Sequence, residues 1–256
     1  MNFVSARACE LSPALYDSLA GYRYQVFVER LGWDLKTAPG YEQDQFDHDD
    51  TVHVVARNDE GDIVGCGRLL PTTESYLLES VFPELLNGLP VPRSEQIWEL
   101  SRFAAMEVKA DADGMNARRH FMAERVLLEA LRFCAARGVT HLLAVSTLAV
   151  ERLMQRAGVD VHRIGPPSMI GGQPVLAFVI AVNERSLNAL AAFEAAAQGL
   201  GAKPLPVRTP HMSDALQSLI ALAQQPWAQP SHALVQGHTP TNTDAQHLDE
   251  VALQLH

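Results

Sequence analysis

"TVHVVARNDEGDIVGCGRLL", residues 51–70, reads as two β-branched runs joined by a polar turn that carries Gly61. That pattern predicts an antiparallel hairpin, and the remaining elements group around it. The glycines of "GCGR", Gly65 and Gly67, resemble a phosphate fingerprint, but no helix opens after them. Inside a strand, such glycines mark a close approach of backbone or a bulge.

Upstream, "SPALYDSLAGYRYQVFVERLGW" carries Leu15, Leu19, Tyr22 and Val26 at helical spacing. Ser12 before Pro13 is an N-cap and Gly32 a stop. Between this helix and the hairpin lies "YEQDQFDHDD", with five carboxylates (Glu42, Asp44, Asp47, Asp49, Asp50) in nine positions. Like charges so close call for water, a metal or a cationic partner. A calcium loop needs a central glycine, and none occurs between Gly40 and Gly61. Downstream, "IWELSRFAA" reads as a strand and "ARRHFMAERVLLEALRFCAARG" as a long helix with Phe121, Leu128, Leu131 and Ala135 inward and Gly138 as its stop. A strand "VTHLLAVS", a short helix "LAVERLMQRAG", two strands around Gly171-Gly172 and a last helix "NERSLNALAAFEAAAQGLG" follow. The order predicts an α/β domain over residues 1–202, with a mixed sheet flanked by helices. Residues 203–256 turn rich in Pro, Gln, His, Thr and Ser, which predicts a largely flexible extension interrupted by one apolar helical segment, "SDALQSLIALAQQ".

Apolar residues make up 47% of the 256, enough for a sizeable core, and no apolar run reaches transmembrane length. No signal peptide is evident, and three scattered cysteines point to a reduced, cytoplasmic protein without a zinc site. The ten histidines form no metal-binding motif, so no metal is expected. A net charge of −10 argues against nucleic acid as a partner. Charge is nevertheless uneven: between Met115 and Gly165 there are eight arginines against four acids.

Three stretches then line up. "YRYQVFVERLGW" supplies Arg23, Phe27 and Trp33; "EQDQFD" supplies Asp44 and Asp47; "GRLLPT" with "WELSRF" supplies Arg68, Glu99, Ser101 and Arg102. In this order and spacing they resemble the LuxI-type acyl-homoserine-lactone synthases, or autoinducer synthases, over roughly residues 14–182. The resemblance implies a GNAT-like acyltransferase fold and quorum-sensing signal synthesis. It implies acyl transfer from acyl-carrier protein, in some members from coenzyme A, to S-adenosylmethionine, which is a substrate rather than a cofactor. The products would be an N-acyl-homoserine lactone and methylthioadenosine. A cytoplasmic monomer without cofactor, metal or membrane contact is expected.

The chemistry gives these residue types work. S-adenosylmethionine is a cation, so Asp44 and Asp47 serve as its counter-charges, steadied by Arg23, Arg68 or Arg102, while Phe27 and Trp33 pack its adenosine or methionine end. Asp49 and Asp50 fall outside the pattern and read as solvated. Glu99 is the candidate base for the attacking amine. In a regular strand Glu99 and Ser101 share a face from which Arg102 points away, so Arg102 reaches the same site only across a bulge. Amides freed there would bind the oxyanion, and Arg102 would hold the substrate carboxylate during lactonisation. Phe82, Leu100, Phe103, Leu143, Ala144 and Val145 are expected to line the acyl slot. An apolar Ala144, where some relatives carry threonine, offers no donor to a 3-oxo group, so an unsubstituted medium chain such as octanoyl is expected. Arg118, Arg119, Arg152 and Arg156 are the expected docking residues for the acidic carrier protein. The rival reading, a GNAT N-acetyltransferase using acetyl-CoA, needs a glycine-rich loop that "ADADGMNARRHF" lacks. A non-catalytic ligand-binding relative is the other alternative.

Overall fold

The computed structural model describes residues 1–108, 115–197 and positions 217, 219 and 221, with the backbone alone at 115–120 and 196–197. The predicted hairpin is present as β2 (Val52–Arg57) and β3 (Ile63–Pro71). It pairs outward with β1 (Asn2–Arg7) and inward with β4 (Ile97–Ala105). The sheet continues through β5 (His141–Thr147) to β8 (Gln173–Ala181), against which the short β6 (Val161–Arg163) and β7 (Ser168–Ile170) both pair. Every pairing is antiparallel except β4 with β5. β1 and β6 were not expected from sequence: β1 carries a single β-branched residue, Val4, and β6 is only three residues long.

Alternation along the strands sorts the core into two faces. Val54, Leu142, Phe178 and Ile180 face α3 (Met115–Ala135), α4 (Leu148–Arg156) and α5 (Glu184–Ala197). On the opposite face, Val55, Ile63 and Cys66 meet α1 (Pro13–Arg23). Further along that face, Leu70, Ile97, Leu143, Ala177 and Val179 meet α2 (Leu77–Ser80) and a 3-10 turn at Pro83–Leu86. The result is a sheet between two helical layers. Among the described residues no helix is long and apolar enough to cross a membrane.

Two details of α3 and the glycines bear on the site. Leu128 and Leu131 are buried as expected, but Ala135 is exposed; the inward face runs instead through Val126, Leu127, Ala130 and Cys134. Ala135 lies two turns on from Leu128 and on the same side, but it is the last helical residue, just before Gly138 (φ +75°) turns the chain. Val126 lies so near Gly65 that a Cβ there would sit 2.7 Å from its Cγ2, and one on Gly67 would sit 3.2 Å from Leu100 Cδ1. The hairpin glycines are therefore sites of close approach, as the strand context implied.

Ser12 caps α1 by accepting from the Leu15 amide at 3.3 Å. Beyond Arg23, however, the helix widens into a π-helical stretch, Tyr24–Arg30, before Gly32 (φ +70°) stops it. The wide turn brings the Phe27 carbonyl to the Trp33 amide at 2.9 Å. π-helical turns of this kind occur preferentially at functional sites.

Candidate active site

The site begins where the sheet fails. β4 and β5 pair only over Ile97–Glu99 with His141–Leu143, and beyond that the strands part. The gap opens into a cleft of about 380 Å³. Its walls are the tips of the two strands (Leu100–Phe103 and Ala144–Thr147), aromatics Phe27 and Trp33 after α1, Leu77 and Phe82 from the opposite face, and Val150, Met154 and Phe178 from the helical side.

β4 also departs from regularity against β3. Cys66 pairs with Ala104 and Arg68 with Ser101, so Arg102 and Phe103 together oppose Gly67. This is the bulge that the Glu99–Arg102 spacing required. Arg102 takes a left-handed backbone (φ +48°), rare for a long side chain and a mark of local strain. The kink turns its guanidinium toward the acidic loop.

There it joins a closed network. Arg23 binds Asp47 through two 2.8 Å hydrogen bonds and also donates to Glu42. Arg68 pairs with Asp44 and lies 3.2 Å from Asp47, while its Nε donates to Ser101 Oγ at 3.0 Å. Arg102 donates to Glu42 at 3.0 Å and to Asp44 at 2.7 Å. Three arginines and three carboxylates thus neutralise one another. Burial alone would raise the carboxyl pKa values. The facing arginines win instead, with a hydrogen bond from the Asp44 amide to Asp47, holding Asp44 below, and Asp47 far below, the usual carboxylate range.

Glu42 is a member that the sequence reading passed over. Its signal was present, as one of five clustered carboxylates, but the D-x-x-D spacing drew the choice elsewhere. Asp49 and Asp50 are exposed as expected, and Asp50 reaches Arg7.

The network stands behind the cleft rather than in it. The side chains of Asp47, Arg23 and Arg68 are buried; only Asp44, its side chain 16% exposed, looks out. Arg102 and Ser101 reach the cleft wall. The Arg102 guanidinium sits 5.7 Å from the ring centres of both Phe27 and Trp33, which stack on each other at 4.8 Å. Glu99 also lies one layer back, accepting from the amides of Leu77 (2.9 Å) and Leu78 (2.7 Å). Burial outweighs those bonds and pushes its pKa up to about 7.

Five of the six expected acyl-slot residues line the cleft: Phe82, Leu100, Phe103, Ala144 and Val145. Leu143 does not. Being opposite Glu99, where the strands still pair, it points into the core beneath the other face. Sequence reasoning missed Val150, Met154 and Phe178, because their helix and strand looked like plain core. Of the expected docking residues, Arg152 and Arg156 stand exposed one turn apart on α4. Arg118 and Arg119 are helical, but their side chains lie outside the described residues. Elsewhere in that segment arginines are engaged: Arg125 with Glu194, Arg132 with Glu129, Arg163 with Glu151.

A mixed sheet between helical layers, splayed at one parallel pair over an apolar cleft, defines a GNAT-like acyltransferase. A family model described as "Autoinducer synthase" matches residues 8–190. The acyl-homoserine-lactone synthase of Acinetobacter nosocomialis is 44% identical over 183 residues, 71% of this chain and 100% of its own length. That of Ralstonia solanacearum is 48% identical over 176 residues, 68% of this chain and 85% of its own. Among solved structures, TofI in a ternary complex with an inhibitor and MTA matches with a TM-score of 0.66 and 41% identity, covering 75% of this chain and 97% of TofI. The synthase LasI matches at 0.65 and 33%, covering 74% and 94%. The chain belongs to the autoinducer synthase family, acyltransferase enzymes of quorum-sensing signal synthesis.

Proposed function

We propose that this enzyme transfers a medium-length, unsubstituted acyl chain such as octanoyl from acyl-carrier protein to the amine of S-adenosylmethionine. It then closes the product to an N-acyl-L-homoserine lactone with release of methylthioadenosine. The observation that carries this reading is the cleft, apolar along its length and charged at one end by Arg102 over Phe27 and Trp33.

The methionine portion binds at that charged end. Asp44, the one carboxylate of the network with exposed surface, faces the cationic substrate, and Arg102 holds its carboxylate. The occurrence of MTA in the TofI complex supports S-adenosylmethionine as the co-substrate. Glu99 accepts the amine proton; since it lies behind the cleft wall, the proton passes through a water to a carboxylate lone pair that the amides of Leu77 and Leu78 leave free. Beyond Glu99, β4 has no pairing partner on the β5 side, and its amides are the donors for the tetrahedral oxyanion. Lactonisation needs only that the carboxylate be held opposite the sulfonium, an effect of proximity. Ala144, first past the strand pairing, favours a chain without a keto group beside it.

Incubation of the purified protein with S-adenosylmethionine and octanoyl-carrier protein, or octanoyl-coenzyme A, tests this. Release of methylthioadenosine with mass-identified octanoyl-homoserine lactone is expected with the carrier protein. No release with either donor would overturn the reading; release with coenzyme A alone would overturn the donor.

A further inference from the structure

The extension beyond residue 202 lies past the family match, which ends at residue 190, and the full length of the Acinetobacter nosocomialis enzyme is matched by 183 residues. Within it, Gln217, Leu219 and Ala221 are helical. Gln217 and Ala221 are exposed, while Leu219 is completely buried. Leu219 belongs to the apolar cluster of Leu70, Ile97, Leu143, Ala177 and Val179 that covers the sheet opposite α3. That face is otherwise roofed by two four-residue elements, α2 and the 3-10 turn. The same cluster contains Phe82 and Val175, which line the cleft, and Leu77 and Val145 of the cleft wall pack against it. One side chain from the extension therefore shares a packing unit with one wall of the cleft.

We infer that Leu219 is a positioning residue: it anchors the C-terminal extension into the core and braces the Phe82–Val175 wall, so that the extension sets which acyl chains fit. A close-packed cluster transmits the loss of one leucine to its other members, because the space left collapses only in part. Leu219 touches no substrate; it acts through Phe82 and Val175. The bearing on chain length rests on the acyl-transfer reading above, whereas the anchoring does not.

The experiment uses the full chain, Leu219→Ala, Leu219→Met and a chain ending at Ala202. Thermal unfolding, amide hydrogen exchange in β8 and kcat/KM for hexanoyl-, octanoyl-, decanoyl- and dodecanoyl-carrier protein are measured. Leu219→Ala and the shortened chain should lose roughly 5–10 °C in Tm and exchange β8 amides faster. Their preference should shift several-fold toward the longer chains, with the KM for S-adenosylmethionine unchanged. Leu219→Met, conserving volume, should restore both. An unchanged Tm in both the alanine and the shortened protein would overturn the anchor. A lowered Tm with an unchanged chain-length profile would overturn the bracing role. Should the full chain turn over no acyl donor, the acyl-transfer reading fails, and exchange at Val175–Val179 still decides whether the wall loosens.

Discussion

At the scale of single residues, the two aspartates of the D-x-x-D spacing look equivalent in sequence and are not. The Asp47 side chain is locked by two hydrogen bonds to Arg23 and fully buried, whereas Asp44 faces outward. Removing one partner of a buried ion pair leaves an uncompensated charge and costs roughly 3–5 kcal/mol. Asp47→Asn should therefore lower stability by about that amount, seen by denaturant unfolding, along with activity. Asp44→Asn should instead raise the KM for S-adenosylmethionine with a smaller loss of stability. Glu99 titrates near 7 because burial disfavours its charge. As a base it works only when ionised, so kcat/KM should rise with pH through about 7 and then level. Glu99→Gln should remove that limb and cost about 10²-fold or more in rate; a near-normal rate would exclude Glu99 as base. Most of these residues were legible as types at fixed spacing. Which stand in the cleft and which behind it was not, since that depends on the bulge and on the loop's path.

At the scale of elements, the strand–helix order read from periodicity matches the structure, and the misses share a cause. β1 and β6 are strands whose place depends on a partner, and the π-helical stretch after Arg23 keeps the same apolar spacing as an α-helix. The bulge was legible only as a condition on Glu99 and Arg102. Helix α4 carries the test of carrier-protein docking. Arg152 and Arg156 project from one face at i,i+4 with no carboxylate partner among the described residues. Their reversal to glutamate should raise the KM for acyl-carrier protein by about an order of magnitude and leave the KM for S-adenosylmethionine unchanged. Raised salt should bring the wild type toward the mutant, since such contacts are screened over about 8–10 Å. A salt-insensitive wild type would place docking elsewhere.

At the scale of the whole molecule, the charged network makes stability depend on pH. His53, in β2, packs with its ring edge-on to Tyr16 at 5.7 Å, and its Nε2 lies 3.9 Å from Asp47. That nitrogen has no hydrogen-bond partner among the described residues. Burial, aided by Arg23 and Arg68 and opposed by Asp47 and Asp44, pushes its pKa down to about 4. The unfolded chain thus binds a proton that the folded protein refuses. The contribution of His53 to stability should fall as pH drops from about 6.5 to 4, by an amount on the order of 3 kcal/mol, while Glu99 and Glu124, pushed up to about 7 by burial, work in the opposite direction. Unfolding of His53→Gln, which has no such proton, should lack that loss and differ in slope from the wild type through the window; equal slopes would clear His53. Below it, protonation of Asp44 and Asp47 removes what their depressed pKa values contribute.

The narrow seam between β4 and β5 has a further consequence at this scale. Every group of the ion network described above comes from the chain before Ala105, while Ala144, Val150, Met154 and Phe178 of the cleft wall come after His141. Only three residue pairs join the two halves of the sheet there. The enzyme is thus partitioned like a tool with a fixed grip and an exchangeable bit. Recombination or drift in the second half can retune the acyl end while the charged end passes unaltered from parent to descendant.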